Sequence, residues 1–155
     1  MVYIHVVCSS PYVRAIQTVE GIAEALGVPI DIDERFRERT LSERNYVVED
    51  RSEAMLRGFE EPDFSFPGGE SNRDAELRGI SAIERILEIY SGKRVAIGIH
   101  GGIMTIIMGH YDPKFDANFL LQLHKPNIYK LTFKDDKYTG AEKIGTLGDS
   151  IQNTH

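Results

Sequence analysis

The stretch R-V-A-I-G-I-H-G-G-I-M-T-I-I-M-G, Arg94 to Gly109, decides the fold. Its first half is apolar and rich in β-branched residues, which predicts a buried strand. After Gly101 and Gly102 the apolar run resumes, and this second half predicts a buried helix. A strand that turns directly into a helix gathers free backbone N–H groups at one point, where they favour an anion such as phosphate. His100 stands at this corner, where its side chain could donate to a phosphate oxygen. A half-buried histidine in a tight turn is the alternative.

The beginning of the chain predicts a similar unit of strand, turn and helix. Met1 to Cys8 is apolar and β-branched, as expected for a strand. Ser10 is a suitable N-cap and Pro11 suits the first helical position. Arg14 lies in the first turn of this helix, where a guanidinium could hold a phosphate through two parallel hydrogen bonds. A solvated surface arginine is the alternative. The apolar stripe expected on the helix consists of Tyr12, Ile16, Val19, Ala23 and Leu26.

The remaining segments continue the alternation of strands and helices. The patterns predict a strand at 29–32, a charged loop or exposed helix at 33–50, a helix at 51–60, a loop at 62–69, a helix behind a Ser71–Asp74 capping box, strands at 118–124 and 128–133, an edge strand at 138–144 and a loose tail from Gly145. This order predicts an α/β fold, a three-layer α/β/α sandwich with a mostly parallel sheet. The length suits one domain over residues 1–155.

Composition and charge narrow the possible partners. With 41% hydrophobic and 27% charged residues, the chain resembles an ordinary globular protein. A net charge of -6 argues against nucleic acid or an acidic membrane as a partner, while a small phosphate ligand needs only local positive groups. The single cysteine, Cys8, allows no disulfide within the chain and suits a cytoplasmic setting. His110, His124 and His155 show no metal-ligand spacing, so we expect no metal site. We expect no other cofactor.

Several motifs together resemble the histidine phosphatase superfamily, the phosphoglycerate mutase-like proteins. The resemblance extends over nearly the whole chain, and its first motif is long and specific. The motifs are C-S-S-P-Y-V-R-A-I-Q-T (Cys8–Thr18), F-R-E-R (Phe36–Arg39), P-G-G-E-S (Pro67–Ser71) and I-H-G-G-I (Ile99–Ile103).

The resemblance implies a phosphomonoester or inorganic phosphate as ligand and a phosphohistidine intermediate. In this family two arginines and a second histidine bind the phosphate oxygens, and a carboxylic acid protonates the leaving oxygen. By motif match, Arg14 and His100 would bind phosphate, together with Ser10 and Gly101. Glu38 would be the proton donor, with Glu43 as the second choice.

The chain departs from the family pattern at the nucleophile. The family carries it in an R-H-G motif at the end of its first strand, and the printed sequence has no R-H-G. The resemblance therefore implies that Met1–Val7 matches the second strand and that the first strand is missing. His5, inside an alternating strand, is expected to be a packed or surface histidine. Because a missing central strand leaves backbone groups unpaired, we expect a homodimer or a strand-exchanged oligomer.

Three functions remain open at this point. The chain could be a phosphatase or mutase family member with weak or no activity. It could instead be a non-catalytic module that binds a phosphate ligand or has a regulatory role. The third possibility is an inactive fragment stabilised by oligomerisation. The substrate stays open as well, because the variable loops at Arg39–Pro67 would select it.

Overall fold

The structure is a computed structural model and describes residues 3–145, so the predicted loose tail lies outside the described residues apart from Gly145. A 3₁₀ turn at Glu34–Phe36 precedes the second helix. The helices and strands are β1 (Val6–Ser9), α1 (Val13–Leu26), β2 (Ile30–Ile32), α2 (Arg51–Glu60), α3 (Asn72–Ile89), β3 (Val95–Gly98), α4 (Gly101–Tyr111), α5 (Ala117–Leu121), β4 (Ile128–Lys134) and β5 (Lys137–Gly145).

A parallel sheet of order β2-β1-β3 positions the ends of three strands together. Val7 of β1 pairs with Ile30 on one side and with Ala96 on the other. The ladder continues past the strand ends, since the Ser10 amide donates to the Gly98 carbonyl at 2.9 Å. The α/β fold class with a parallel sheet is therefore confirmed. The residues that follow β1 and β3 lie at the carboxyl edge of this sheet, where open α/β folds hold their sites.

The described residues divide into two compact units, one up to Leu121 and one from Gln122. In the second unit, β4 and β5 form an antiparallel hairpin. Its turn residues Asp135 and Asp136 have φ values of 51° and 63°, the left-handed conformation that two-residue hairpin turns require. The strands predicted at 128–133 and 138–144 are confirmed. The single-domain organisation stays a prediction.

Helix packing buries the stretch that decides the fold. Ile103 and Ile107 of α4 are buried and lie against Gly79 of α3. A Cβ atom on Gly79 would stand 2.7 Å from Ile107 Cγ1, so only glycine lets the two helices approach this closely. The predicted buried helix after the glycine pair is confirmed.

The predicted start of the first helix is wrong. The helix α1 begins at Val13, with Tyr12 as its N-cap, and not at Pro11. Ser10 stays in the sheet ladder through its amide, and its hydroxyl accepts a hydrogen bond from the Tyr12 amide at 3.2 Å. Tyr12 and Leu26, the ends of the predicted apolar stripe, are exposed. Val19 and Ala23 of the predicted stripe are buried, and Ala15, which was not predicted, completes the buried face.

The strand predicted at 118–124 is also wrong, because the chain forms the helix α5 at Ala117–Leu121. The Asp116 carboxylate accepts a hydrogen bond from the Phe119 amide at 3.0 Å, as a helix N-cap does. Phe115 and Phe119 meet edge to face at 4.9 Å between ring centroids, four residues apart. A short apolar run does not distinguish strand from helix, and here the local cap decides.

Candidate phosphate site

The carboxyl ends of β1 and β3 bring Ser10 and His100 together. Ser10 Oγ lies 2.9 Å from His100 Nε2, although the two residues are 90 positions apart in the chain. Both are buried, with 0% and 8% of their surface exposed. A side chain at Gly98 would stand 2.4 Å from the Ala15 carbonyl oxygen, so glycine is needed for α1 to approach the end of β3. The structure thus joins two of the predicted site residues.

His100 caps α4 with its backbone and not with its side chain. Its φ and ψ of -119° and 150° are extended, and its side chain makes no hydrogen bond to the helix start. The ring contacts the Ser10 hydroxyl, and its centroid is 5.2 Å from that of the Tyr12 ring, with an angle of 60° between the two ring planes. A histidine held by a neutral hydroxyl at a helix N-terminus can donate an N–H to an anion.

The Glu38 carboxylate lies on the first turn of α4. Its Oε2 accepts from the Gly102 amide at 3.0 Å, and its Oε1 accepts from the Ile103 amide at 2.8 Å. The Arg39 amide donates to the same Oε1 at 2.8 Å. Helix amides that the sequence suggested for a phosphate are therefore bonded to a carboxylate of the protein. The two amides belong to the residues one and two positions after Gly101, the glycine that we predicted to bind phosphate.

Gly102 is needed because Glu38 approaches it so closely. A Cβ atom at this position would lie 2.6 Å from Glu38 Oε1 and 3.1 Å from Glu38 Cδ. The second glycine of the H-G-G motif therefore serves the contact between two segments 64 residues apart. The sequence pattern attributed this glycine to the turn alone.

The other two predicted site residues, Arg14 and Glu43, are both exposed. Arg14 is the second residue of α1 and is exposed, and its carbonyl accepts from the Thr18 hydroxyl at 2.9 Å. The convergence of its guanidinium with His100 stays a prediction. Glu43 is exposed and lies against the loop before α3, where its amide donates to the Pro67 carbonyl at 2.8 Å. Of the two candidate acids, the structure brings Glu38 to the helix that His100 begins.

Sequence reasoning missed an ion pair that contacts the segment carrying Glu38. Arg78 of α3 and Glu70 of the P-G-G-E-S segment are joined at 2.6 Å between Nε and Oε1, and their side chains are only 11% and 15% exposed. Nothing in the local pattern pairs these residues. A glutamate eight positions before an arginine, with a helix start between them, is not a recognised spacing.

A second missed feature is a group of buried donors beside the site. Arg39 Nε, Arg39 Nη2 and Asn72 Nδ2 have no hydrogen-bond partner among the residues that the structure describes. Burial lowers the pKa of the Arg39 guanidinium, which the charges of Glu70 and Glu38 partly oppose. Gly58 of α2 makes room for this group, since a Cβ there would lie 3.2 Å from Arg39 Nη2.

Two titratable groups show how charge is arranged around the sheet. Asp33 follows β2 and accepts hydrogen bonds from Arg35 Nε at 3.0 Å and Arg35 Nη2 at 2.8 Å. The hydrogen bond from the Arg35 side chain is the largest cause that lowers the Asp33 pKa, and burial partly opposes it. Burial, followed by the charge of Asp31, raises the pKa of the Cys8 thiol to about 12.

His5 does not belong to the site. It lies just before β1, at the opposite end of that strand from Ser9, and is exposed. Its Nδ1 accepts a hydrogen bond from the Arg94 amide at 2.9 Å. Over residues 3–145, no three His, Cys, Asp or Glu side chains are arranged to hold a metal ion. No helix in the same range is long and apolar enough to span a bilayer.

Comparison with known proteins identifies a matching family. The model of the histidine phosphatase superfamily (branch 1) matches residues 2–143. A search of curated proteins finds no significant match.

Similar solved structures share the fold at low sequence identity. YhfR from Bacillus stearothermophilus is 19% identical with a TM-score of 0.71, over 96% of this chain and 77% of that one. Mycobacterial glucosyl-3-phosphoglycerate phosphatase in complex with inorganic phosphate is 19% identical with a TM-score of 0.69, over 90% and 75% of the two chains. Its complex with VO3 is 18% identical with a TM-score of 0.72, over 92% and 76%.

Proposed function

Because the chain belongs to the histidine phosphatase superfamily, we propose that the edge formed by Ser10 and His100 binds the phosphoryl group of a phosphomonoester. The observation that carries the proposal is the 2.9 Å contact between Ser10 Oγ and His100 Nε2 at the carboxyl ends of two parallel strands. The similar phosphatase whose structures contain phosphate and VO3 supports a phosphate ligand here.

Each of the proposed residues has a distinct physical role. His100 donates a hydrogen bond to a phosphate oxygen, and the Gly101 amide adds a donor at the start of α4. Ser10 holds the imidazole in place from the side of β1. Arg14, exposed in the first turn of α1, swings toward the same oxygens and adds a charge-assisted pair of hydrogen bonds.

We assign the protonation of the leaving oxygen to Glu38. Its carboxylate is held at α4 by the Gly102 and Ile103 amides, directly after His100. Glu43 is the weaker candidate because it lies against Pro67. In the acid role Glu38 must first be protonated: one oxygen keeps its helix amide, while the other carries the proton, gives it to the leaving oxygen and leaves Glu38 as the carboxylate.

The nucleophile limits the proposed activity. The printed sequence has no R-H-G, and His5 lies at the far end of β1 from Ser10. We therefore propose that the printed chain binds phosphate esters and turns them over weakly or not at all. This is also the reason to keep a non-catalytic phosphate-binding module as the second candidate function.

The strand β3 suggests how the sheet is completed. Within the described residues β3, like β2 on the other side of the sheet, pairs with β1 on one edge only. Because an unpaired edge favours pairing with another strand, we propose that a second copy of the chain covers it, in a homodimer or strand-exchanged oligomer. Light scattering should then give at least twice the monomer mass, and a monomer would contradict this part of the proposal. A cytoplasmic setting stays a prediction from the single cysteine.

Thermal unfolding with added ligand tests the phosphate site. Inorganic phosphate and vanadate should raise the melting temperature by an amount that grows with the logarithm of ligand concentration. The increase should vanish in His100→Ala and shrink in Arg14→Met. The matched controls are His110→Ala, a histidine paired with Glu76, and Arg51→Met, an exposed arginine in the first turn of α2.

Turnover of p-nitrophenyl phosphate separates the candidate functions. Stabilisation by phosphate without turnover supports the binding module, and slow turnover that disappears in His100→Ala supports the weak enzyme. Turnover that survives His100→Ala would place the site elsewhere. A melting temperature that does not respond to either anion would refute the phosphate site itself.

A further inference from the structure

The Arg78 side chain is bound to the backbone that presents Glu38. Its Nη1 donates to the carbonyl oxygens of Arg35 at 2.7 Å and Arg37 at 2.9 Å. Its Nη2 makes a longer bond of 3.4 Å to the carbonyl of Glu38. One guanidinium on α3 therefore contacts three carbonyls of a turn that is about 40 residues earlier in the chain.

Glu70 holds the same guanidinium from the other side. Its carboxylate accepts from Arg78 Nε at 2.6 Å and from Arg78 Nη2 at 3.0 Å. The Glu70 amide donates to the Thr40 carbonyl at 2.8 Å, two residues after Glu38. The segment that carries Glu38 is thus bound on both sides of this residue, before it by the Arg78 side chain and after it by the Glu70 backbone amide.

We propose that Arg78 is a positioning residue, which with Glu70 fixes the Arg35–Thr40 backbone so that the Glu38 carboxylate reaches the amides of Gly102 and Ile103. Its importance for a reaction rests on the proposed function, while the positioning itself does not. A guanidinium is required at position 78, because its planar donors serve three carbonyls and a carboxylate simultaneously. A lysine ammonium carries the charge but cannot span these acceptors.

Amide protection along α4 distinguishes a positioning role of Arg78 from a general contribution to stability. If Arg78 acts through Glu38, its loss should release the two α4 amides that Glu38 binds and leave the rest of α4 intact. If Arg78 only stabilises the fold, amide protection should fall equally along the helix. The Ile107 amide, in the buried middle of α4, reports the second case.

The test is amide hydrogen exchange by NMR on the whole chain, without ligand. In Arg78→Lys we expect exchange at Gly102 and Ile103 to accelerate about 10- to 100-fold, as expected for the loss of a hydrogen bond to a charged group, while Ile107 stays within about twofold. Arg73→Lys is the matched control, since Arg73 is an exposed arginine of α3 that pairs with Asp63. That variant should leave all three amides unchanged.

Two further variants keep the test decisive. In a Glu38→Ala background, Arg78→Lys should not accelerate amide exchange at Gly102 and Ile103 any further, because the hydrogen bonds to Glu38 are already lost. If Arg78→Lys folds poorly, Arg78→Ala with added methylguanidinium should restore slow exchange at the two amides. Unchanged exchange in Arg78→Lys, or equal acceleration at Ile107, would overturn the proposal. If the exchange pattern is as expected but added phosphate does not raise the melting temperature, the positioning role stands and the proposed function is refuted.

Discussion

Replacing Gly102 with alanine tests whether Glu38 binds the start of α4. Alanine normally stabilises a helix over glycine by about 1 kcal/mol. Here the new Cβ would lie 2.6 Å from Glu38 Oε1 and 3.2 Å from Glu38 Oε2, so the carboxylate must leave. Losing its two bonds to α4 amides costs about 3 kcal/mol. The expected net effect is a destabilisation of about 2 kcal/mol.

A second glycine provides the matched control. Gly21 lies inside α1, and a Cβ there would meet nothing within 4 Å. Gly21→Ala should therefore stabilise the protein by about 1 kcal/mol, the plain helix effect. For a chain of this length the melting temperature should rise by about 3 °C in Gly21→Ala and fall by about 6 °C in Gly102→Ala. Both values are measurable by calorimetry or circular dichroism.

A double-mutant cycle with Glu38→Ala completes the experiment. Without the carboxylate, the Gly102→Ala substitution has nothing to displace and should stabilise as Gly21→Ala does. The coupling between positions 38 and 102 should therefore be about 3 kcal/mol. If Gly102→Ala stabilises the unaltered chain as much as Gly21→Ala does, the carboxylate is not held on α4 and the reasoning is refuted.

Three other predictions concern charged and buried groups. The pKa of Asp33 is lower in the folded chain than its ordinary value of 3.8. Ionised Asp33 therefore stabilises the fold fully above pH 3.8, and this stabilisation is lost as the pH falls through the folded pKa. Asp33→Asn should thus cost about 2 kcal/mol at pH 7 and less near pH 3 in urea titrations, and an equal cost at both pH values would contradict this. With a pKa of about 12 against an ordinary 9.0, native Cys8 should react with iodoacetamide at pH 8 roughly a thousandfold more slowly than the unfolded chain, and equal rates would disprove its burial. Arg39→Met removes a buried guanidinium with unpaired donors and should leave stability unchanged or raise it by about 1 kcal/mol in urea titrations, whereas a large loss would show that Arg39 is paired.

Much of the fold follows from local patterns. The β-branched run before His100, the glycine pair and the apolar run after it predict β3 and α4 without any partner, and the structure has both. The Ser71 cap of α3 was predicted in the same way, and its hydroxyl accepts from the Asp74 amide at 3.1 Å. Such features are predictable because their physical causes lie within a few residues of the chain.

The same local reasoning failed at Ser10, where a distant contact competes with it, and at 118–124, where the apolar pattern itself is ambiguous. Ser10 looked like a helix cap, but the sheet holds its backbone and His100 contacts its hydroxyl, so α1 begins at Val13. At 118–124 the apolar run suited either a strand or a helix, and the Asp116 cap with the Phe115–Phe119 contact gave a helix.

The charged segment at 33–50 shows most clearly what depends on tertiary structure. From composition alone, its arginines and glutamates are interchangeable solvated side chains. The fold singles out Glu38, because α4 presents unpaired amides beside it, and leaves Glu43 on the surface. Outside this segment, the fold in the same way brings Arg78 and Glu70 together as a nearly buried ion pair. Strand and helix periods are properties of neighbouring residues, whereas the partner of a charge is chosen by which distant backbone groups the folded chain leaves unsatisfied.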